Sequence, residues 1–201
     1  MFLFFQSCAL AQTDPYSSRG NHLPTISLRD LIGSTNPQSI VSIDLDLYSR
    51  GYLQKPRIAI LNPSGLHIYR EVNKGAFAEE FMLKQPPIPW GHMQSFPSTS
   101  RLFGVVLWGT EEESYSPATV VCYAGNEFRV VFRSENATFA DLDFDGTPEI
   151  LVSHYNSAVA KEPIKIDIWV WNGESFVSVV TVAPSQLWSE EVVNAVRKVA
   201  R

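Results

Sequence analysis

The pattern that most constrains the fold is a series of short apolar runs separated by turn residues. From Ser39 onward, runs of Val, Ile, Phe, Tyr and Trp recur, with Gly, Pro, Asn and Asp between them. Runs of this length and composition are typical of β-strands, and no helical periodicity of comparable quality interrupts them. The sequence therefore predicts an all-β body. The runs span 40–47, 57–61, 66–72, 103–108, 118–123, 128–132, 149–155, 164–171 and 176–182.

One helix is predicted at the end of the chain, over residues 189–200. Ser189 is a favourable N-cap, and the two Glu residues after it lie where the helix dipole favours negative charge. Val192, Val196 and Val199 form an apolar stripe at helical spacing, and basic residues occupy the last turn. We expect this helix to pack on the β body.

The apolar runs also group into repeated units. The stretch 138–182 contains runs that match those of 42–72 in order and composition, and 102–133 matches the later hairpin in outline. Each unit offers about four strands, which is the size of one β-propeller blade. Three such units are fewer than a closed propeller usually has. The sequence thus predicts a propeller-like fold that is open or incomplete, belongs to a longer propeller, or pairs with a second copy over its free sheet edges.

The N-terminal region differs from this body. Met1–Phe5 is apolar and Ala9-Leu-Ala11 fits a signal-peptidase site, although no basic residue comes first. We interpret residues 1–11 as a truncated signal peptide, 12–38 as an irregular lead-in and 39–201 as the β domain with its helix. The protein is then expected to be periplasmic, surface-bound or secreted. The formal net charge of −5 argues against a nucleic-acid partner, and no run has the length of a membrane span.

The most informative motif is the acidic stretch DLDFDGTPEI, residues 141–150. Four carboxylates within this short stretch repel one another, and a divalent cation would remove that cost. Ca²⁺ takes six to eight oxygen ligands in flexible geometry. Gly146 supplies a sharp turn and the carbonyl of Thr147 can point inward. The EF-hand, which shares the first half of the motif, is excluded because its twelfth position falls on Val152 and no helix follows.

This stretch resembles the calcium loop of FG-GAP (VCBS-type) repeats, the blades of integrin alpha-chain propellers and of exported bacterial proteins. Phe139-Ala140 precedes the acidic residues, the aliphatic run 150–152 follows, and the hairpin at 169–173 resembles the outer half of the same blade. Phe144 departs from the usual small residue, and the ninth position is Glu where Asp is commoner. The resemblance implies a Ca²⁺ site formed by the side chains of Asp141, Asp143, Asp145 and Glu149 and the carbonyl of Thr147.

A second cation site is a weaker expectation. Asp44 and Asp46 repeat the first two ligands in the first unit, but Tyr48 replaces the third. Half of a ligand set seldom holds Ca²⁺, so whether these two residues mark a second site stays open.

Signals for catalysis are scarce. The sequence has no Gly-rich phosphate loop, zinc-ligand pair or Gly-x-Ser-x-Gly elbow, and its four His residues are scattered without ligand spacing. Cys122 lies in a β-like run and is predicted to be a buried thiol, while Trp169 and Trp171 are expected to be buried between sheets. The four His residues are His22, His67, His92 and His154.

The sequence therefore favours an exported, non-catalytic, Ca²⁺-binding repeat domain that acts as a structural module or binds a protein or a glycan. The alternative is a hydrolase on a propeller-like scaffold, with its active residues on loops such as the Pro-rich stretch 84–100. A polar pocket near His92 would favour the enzyme, and a flat or aromatic rim would favour the binding module.

Overall fold

Three antiparallel sheets make up the body of the protein. The computed structural model describes residues 25–35, 37–43, 57–87, 89–96, 102–109, 118–124, 126–157 and 162–200. Strands that follow one another in the chain pair as neighbours within each sheet, as in the blades of a propeller, except that the first short strand pairs with the fifth. The predicted all-β, propeller-like class is confirmed, and no described sheet closes into a barrel. The predicted signal peptide lies outside the described residues.

The first sheet has five strands and the other two have four each. In the first sheet the spatial order is β1-β5-β4-β3-β2, and the second and third sheets run in chain order. The first sheet contains β1 (Ile26–Ser27), β2 (Ser39–Ile43), β3 (Arg57–Asn62), β4 (Gly65–Asn73) and β5 (Ala76–Lys84). The second contains β6 (His92–Ser95), β7 (Gly104–Trp108), β8 (Ala118–Ala124) and β9 (Glu127–Ser134). The third contains β10 (Ala137–Ala140), β11 (Glu149–His154), β12 (Lys165–Trp171) and β13 (Phe176–Val182).

Tight turns close the hairpins at residues that tolerate a left-handed backbone. Gly75, Asn126 and Asn136 have φ values of 76°, 76° and 57°, which suit Gly and Asn. Gly65 begins β4 with φ 142°, and a Cβ there would lie 2.0 Å from the carbonyl oxygen of Leu83. Only glycine fits this position, so Gly65 fixes the close approach of β4 to β5.

The sheets stack face to face, and the apolar residues of each inner face fill the space between neighbours. Leu61 and Ile68 of the first sheet pack with Val105 and Val121 of the second. A second cluster joins the second sheet to the third and includes Phe132, Trp171 and Phe176. Both Trp169 and Trp171 lie within this cluster, and the predicted burial between sheets is confirmed for Trp171, whereas Trp169 is half-buried.

Helices cover the two outer faces of the stack. The C-terminal helix α2 (Glu190–Val199) places Val192 and Val196 against Leu151 and Ile168 of the third sheet. It begins as predicted, because the Ser189 side chain accepts a hydrogen bond from the backbone N–H of Val192. The outer face of the first sheet packs against helix α1 (Leu28–Thr35) through Leu31, which is 1% exposed. No helix among the described residues is long and apolar enough to cross a membrane.

The irregular lead-in predicted for residues 12–38 is wrong over residues 26–35, where β1 and α1 form. Ile26 pairs with Phe77 of β5, and Ser27 both accepts from the backbone N–H of Asp30 and donates to its carboxylate. This Ser-x-x-Asp arrangement is a helix N-cap signal. The apolar residues of the segment are too few to fix a helix alone, and the outer face of the first sheet supplies their partners.

Part of the Pro-rich stretch 84–100 is also a strand rather than a simple connector. β6 pairs with β7 along its whole length, with His92 opposite Trp108 and Ser95 opposite Val105. Just before β6, Trp90 is buried between the first and second sheets. The stretch therefore joins the two sheets and contributes the first strand of the second.

Candidate metal centre

The acidic loop connects β10 to β11 at one edge of the third sheet. The two strands are antiparallel neighbours, and Ala140 pairs with Glu149, so the two ends of the loop are held side by side. Leu142 is fully buried against α2 and the outer face of the third sheet. This apolar anchor fixes the loop and leaves its acidic residues on either side of the buried leucine.

Two residues with positive φ bend the loop. Phe144 has φ 60° and Gly146 has φ 87°. A left-handed backbone suits Gly146 but is sterically unfavourable for phenylalanine. The Phe144 side chain is 79% exposed, so no buried packing offsets the cost of this conformation.

Three carboxylates converge in the bend. Oxygen atoms of Asp141, Asp143 and Glu149 all lie within 4.8 Å of one another. Asp143 is 8% exposed and Glu149 is 2% exposed. In the part of the chain that the structure describes, no Lys, Arg or His side chain forms an ion pair with these three groups. The cluster therefore gathers negative charge at a partly desolvated position, where the charge of Arg197 only partly offsets the rise in the pKa of Asp143.

The pKa values of the two buried carboxyl groups reflect this crowding. Burial raises the pKa of Glu149 to about 7, the N–H of Leu142 opposes the rise, and the charges of the three aspartates add to it. Burial and the neighbouring Asp145 charge raise the pKa of Asp143. Both shifts have the sign expected for like charges held together in a poorly solvated site. A bound cation would act in the opposite direction on both groups.

Backbone N–H groups hold the carboxylates in place. The N–H groups of Asp145 and Gly146 donate to the two oxygens of Asp141 at 3.1 and 3.0 Å. The N–H of Leu142 donates to Glu149 Oε2 at 2.7 Å. These contacts order the site before any ion binds, which lowers the entropic cost of binding.

Of the five predicted ligands, the structure brings together Asp141, Asp143 and Glu149. The carboxylate of Asp145 is not part of this group, and its Oδ1 accepts a hydrogen bond from the N–H of Thr147 at 2.7 Å. The roles of Asp145 and of the Thr147 carbonyl as ligands stay predictions. Asp44 and Asp46 lie outside the described residues.

One contact that the sequence did not indicate ties the loop to the C-terminal helix. The Arg197 guanidinium donates from Nη2 to the backbone carbonyl of Asp143 at 3.4 Å. A basic residue in the last turn of a helix is usually explained by the helix dipole, so its contact with the loop could not be read from the sequence. The loop, the third sheet and α2 form one connected unit.

The side chains that converge in the bend offer only oxygen atoms as donors. Three carboxylates offer up to six oxygen atoms, and neither imidazole nor thiolate takes part. Such a donor set suits hard cations such as Ca²⁺, Mg²⁺ or Mn²⁺ rather than Zn²⁺ or Cu²⁺. The cluster of Asp141, Asp143 and Glu149 could thus hold a metal ion.

Comparison of the chain with protein-family models, with curated proteins and with solved structures gives no match. The resemblance to FG-GAP repeats therefore rests on the motif and hairpin within residues 137–182, and membership of that family stays a prediction.

Proposed function

We propose that this protein is an exported, propeller-like repeat module that binds Ca²⁺ at Asp141, Asp143 and Glu149, and whose surface serves a protein or a glycan partner. The observation that supports the proposal is the convergence of three carboxylates, two of them buried, inside a D-x-D-x-D-G-x-x-E motif. Holding these carboxylates together at a poorly solvated position costs free energy, and a bound cation would offset that cost.

Ca²⁺ fits the donor set better than the other hard cations. Its coordination is flexible and takes carboxylates, backbone carbonyls and water together, whereas Mg²⁺ requires near-ideal octahedral geometry and usually keeps several waters. The bent loop of residues 141–149 contains both carboxylates and backbone carbonyls. An exported location, which the N-terminal residues suggest, would also expose the loop to a calcium-rich medium.

The ion would act on stability through two connections. It would join the end of β10 to the start of β11, because Asp141 follows the first strand and Glu149 begins the second. Through the carbonyl of Asp143 it would also fix the contact with Arg197 on α2. The proposed role of the metal is to hold the third sheet and its covering helix together.

Thermal unfolding across a series from chelator to millimolar Ca²⁺ tests this proposal. At a free Ca²⁺ concentration of 100 times Kd, binding stabilises the fold by about 2.7 kcal/mol. For a domain of this size that is a rise of roughly 5–10 °C in Tm. Asp143→Asn should abolish the rise, because it removes one charged ligand while keeping the side-chain shape.

Glu174→Gln is the matched control, since Glu174 is an exposed acidic residue in the β12–β13 turn of the same sheet. It should keep the full calcium response. A wild-type melting curve that does not move between chelator and millimolar Ca²⁺ would contradict the proposal. If Asp143→Asn keeps the rise in Tm with Ca²⁺, the metal binds at another site.

The hydrolase alternative places its active residues on the Pro-rich stretch 84–100, and the contact that His92 makes there does not favour it. His92 lies on β6 and stacks on Trp108, with ring centroids 5.5 Å apart. This contact gives it a packing role within the second sheet. A polar arrangement that favours catalysis lies instead on the first sheet.

A further inference from the structure

Three polar side chains of the first sheet form a hydrogen-bonded series at the β3–β4 hairpin. Ser64 Oγ lies 2.7 Å from His67 Nε2, and His67 Nδ1 lies 2.5 Å from Glu79 Oε1. This is the order of atoms in which a serine nucleophile, a histidine base and a carboxylate act in acyl transfer. We propose that Ser64 is a nucleophile that reacts with small, unhindered esters, with His67 as its general base and Glu79 as the residue that positions the imidazole.

The local fold explains how these residues meet. Ser64 lies in the turn, and His67 follows three positions later on β4. A bulge shifts the register of β4 and β5, so that Tyr69 pairs with Glu79 whereas Ile68 pairs with Phe81. The bulge gives adjacent acidic residues separate partners: Glu79 contacts His67, and Glu80 accepts from the Arg57 guanidinium at 2.9 Å.

Tyr69 restricts the imidazole from the side. Its ring stacks on His67 with centroids 6.3 Å apart and an interplanar angle of 15°. Tyr69 is itself buried against Leu31 of α1 and the outer face of the first sheet. The base is thus held by packing on one side and by Glu79 on the other, which is the arrangement that catalysis requires of a positioned histidine.

Asn62 occupies the position where a reaction oxyanion would be stabilised. Its Oδ1 accepts hydrogen bonds from the N–H groups of Ser64 and Gly65 at 2.9 and 3.1 Å. The same oxygen lies 2.6 Å from Ser64 Oγ. Two backbone donors beside a nucleophile form an oxyanion hole, so the carbonyl oxygen of a substrate would have to replace the Asn62 amide oxygen.

That replacement also frees the hydroxyl hydrogen of Ser64. While Oγ donates to Asn62, it cannot donate to His67. Once the Asn62 side chain turns away, the hydroxyl can donate to Nε2 of a neutral His67, whose Nδ1–H donates to Glu79. In the resting hairpin, the Asn62 side chain therefore prevents Ser64 from reacting. We expect slow acylation in the wild-type protein.

The reaction balances without a cofactor. Ser64 Oγ bonds to the ester carbonyl carbon and its proton passes to His67 Nε2. The bond to the alcohol oxygen then breaks, and the alcohol leaves with that proton. Water attacks the acyl-serine, gives a proton to His67 and releases the acid, and Ser64 takes the proton back. Because Ser64 and Glu79 are exposed, the substrate approaches from solvent, which favours small esters or an acyl group on a flexible chain.

Labelling with a fluorophosphonate, read by intact mass and peptide mapping, tests the proposal. One adduct should form, on Ser64, with loss of fluoride, and Ser64→Ala should show none. Ser175 is an internal control, because the β12–β13 turn repeats the amide arrangement: Asn172 Oδ1 accepts from the N–H groups of Glu174 and Ser175 at 3.0 Å each. No histidine contact with Ser175 occurs among the described residues, so Ser175 should stay unlabelled.

Variants separate catalysis from structure. His67→Gln should slow labelling and p-nitrophenyl acetate hydrolysis by about 100-fold. Glu79→Gln should slow both at unchanged Tm, Glu79→Asp should restore part of the rate, and Asn62→Ala should raise it. Absence of an adduct on Ser64, or a rate that His67→Gln leaves unchanged, would overturn the proposal. The rates should be the same in chelator and in Ca²⁺, so this outcome is independent of the metal site.

Discussion

Glu149 is the most buried carboxyl group of the candidate metal site. It is 2% exposed, and its pKa is raised to about 7, first by burial and then by the charges of Asp143, Asp141 and Asp145. The N–H of Leu142 donates to it and limits the rise. A carboxyl group in this state is half-protonated near neutral pH when no metal is present, so proton and metal compete for the same site.

The sign of the shift predicts how pH changes stability in the metal-free protein. A folded-state pKa above the unfolded value means that the contribution of Glu149 is fully present below about pH 4.5 and is lost as pH rises through about 7. Glu149→Gln should remove this part of the pH dependence while keeping an acceptor for the Leu142 N–H. Urea unfolding of both proteins in chelator between pH 4 and 8 measures the difference.

Saturating Ca²⁺ provides the control for that experiment. The ion binds the charged form of the carboxylate, so it should remove the loss of wild-type stability above pH 7. Parallel pH profiles for the wild type and Glu149→Gln in chelator would contradict the assignment.

Phe144 has an unfavourable backbone conformation, and its exposed side chain gains no buried packing in return. Its φ of 60° and its 79% exposure place an aromatic residue where a left-handed backbone is needed. Phe144→Asn should keep the calcium response and raise the free energy of unfolding by up to about 1 kcal/mol, because Asn tolerates this conformation. Chemical denaturation of the metal-free protein checks the sign.

Phe139, on β10 just before the loop, is the control residue. It packs against Phe96 with ring centroids 6.5 Å apart and contributes to the cluster between the second and third sheets. Phe139→Ala should destabilise the protein. Equal losses for the two substitutions would show that Phe144 has packing partners in solution.

At the scale of elements, the acidic loop and α2 are coupled by the packing of Leu142 against the helix and by one side-chain hydrogen bond. Arg197 donates to the carbonyl of Asp143, whose carboxylate belongs to the candidate metal site. Ca²⁺ should therefore slow amide hydrogen exchange in both β11 and α2. Arg197→Ala should abolish the added protection in α2 and leave that in β11, as measured by mass spectrometry.

The β3–β4 hairpin is the reference region for this measurement. It belongs to the first sheet, away from the loop, and its exchange should not respond to Ca²⁺. If α2 gains the same protection in Arg197→Ala as in the wild type, the coupling runs through the apolar contacts of Val192 and Val196 instead.

The sequence could predict those elements that carry local signals of their own. The C-terminal helix carried its own signals in the Ser189 cap and the valine stripe, and it formed at the predicted residues. β5 contains Glu79 and Glu80 in its centre, and its place depends on pairing with β4 and on the partners His67 and Arg57. β1 and β6 are short and gain their order from neighbouring strands. Such strands cannot be recognised from local composition.

The two candidate sites also differ in how far the sequence could predict them. The ligands Asp141, Asp143 and Glu149 are close in the chain, so their alternation around a glycine turn predicted the convergence. His67 and Glu79 are twelve positions apart, and a hairpin turn and a bulge decide whether they meet. No pattern of residue types indicates that pair.

At the scale of the whole molecule, a helix covers each outer face of the three described sheets. Val196 is fully buried between α2 and the third sheet. Val196→Asp should destabilise the protein by about 3 kcal/mol or more, because it buries an unpaired charge. Asn194→Asp, on the exposed side of the same helix, should change stability by less than about 0.5 kcal/mol. Denaturant midpoints compare the two, and equal midpoints would refute the covering role of α2.

The helix-covered ends have a consequence for how proteins of this design vary in size. Within the described residues, the second sheet presents two apolar faces to its neighbours, whereas the outer faces of the first and third sheets meet helices. A duplicated sheet inserted in the middle would find a matching surface on either side and would leave both termini unaltered. Length in this architecture can thus grow in steps of a whole sheet, without the ring-closure condition that fixes the blade number of a circular propeller.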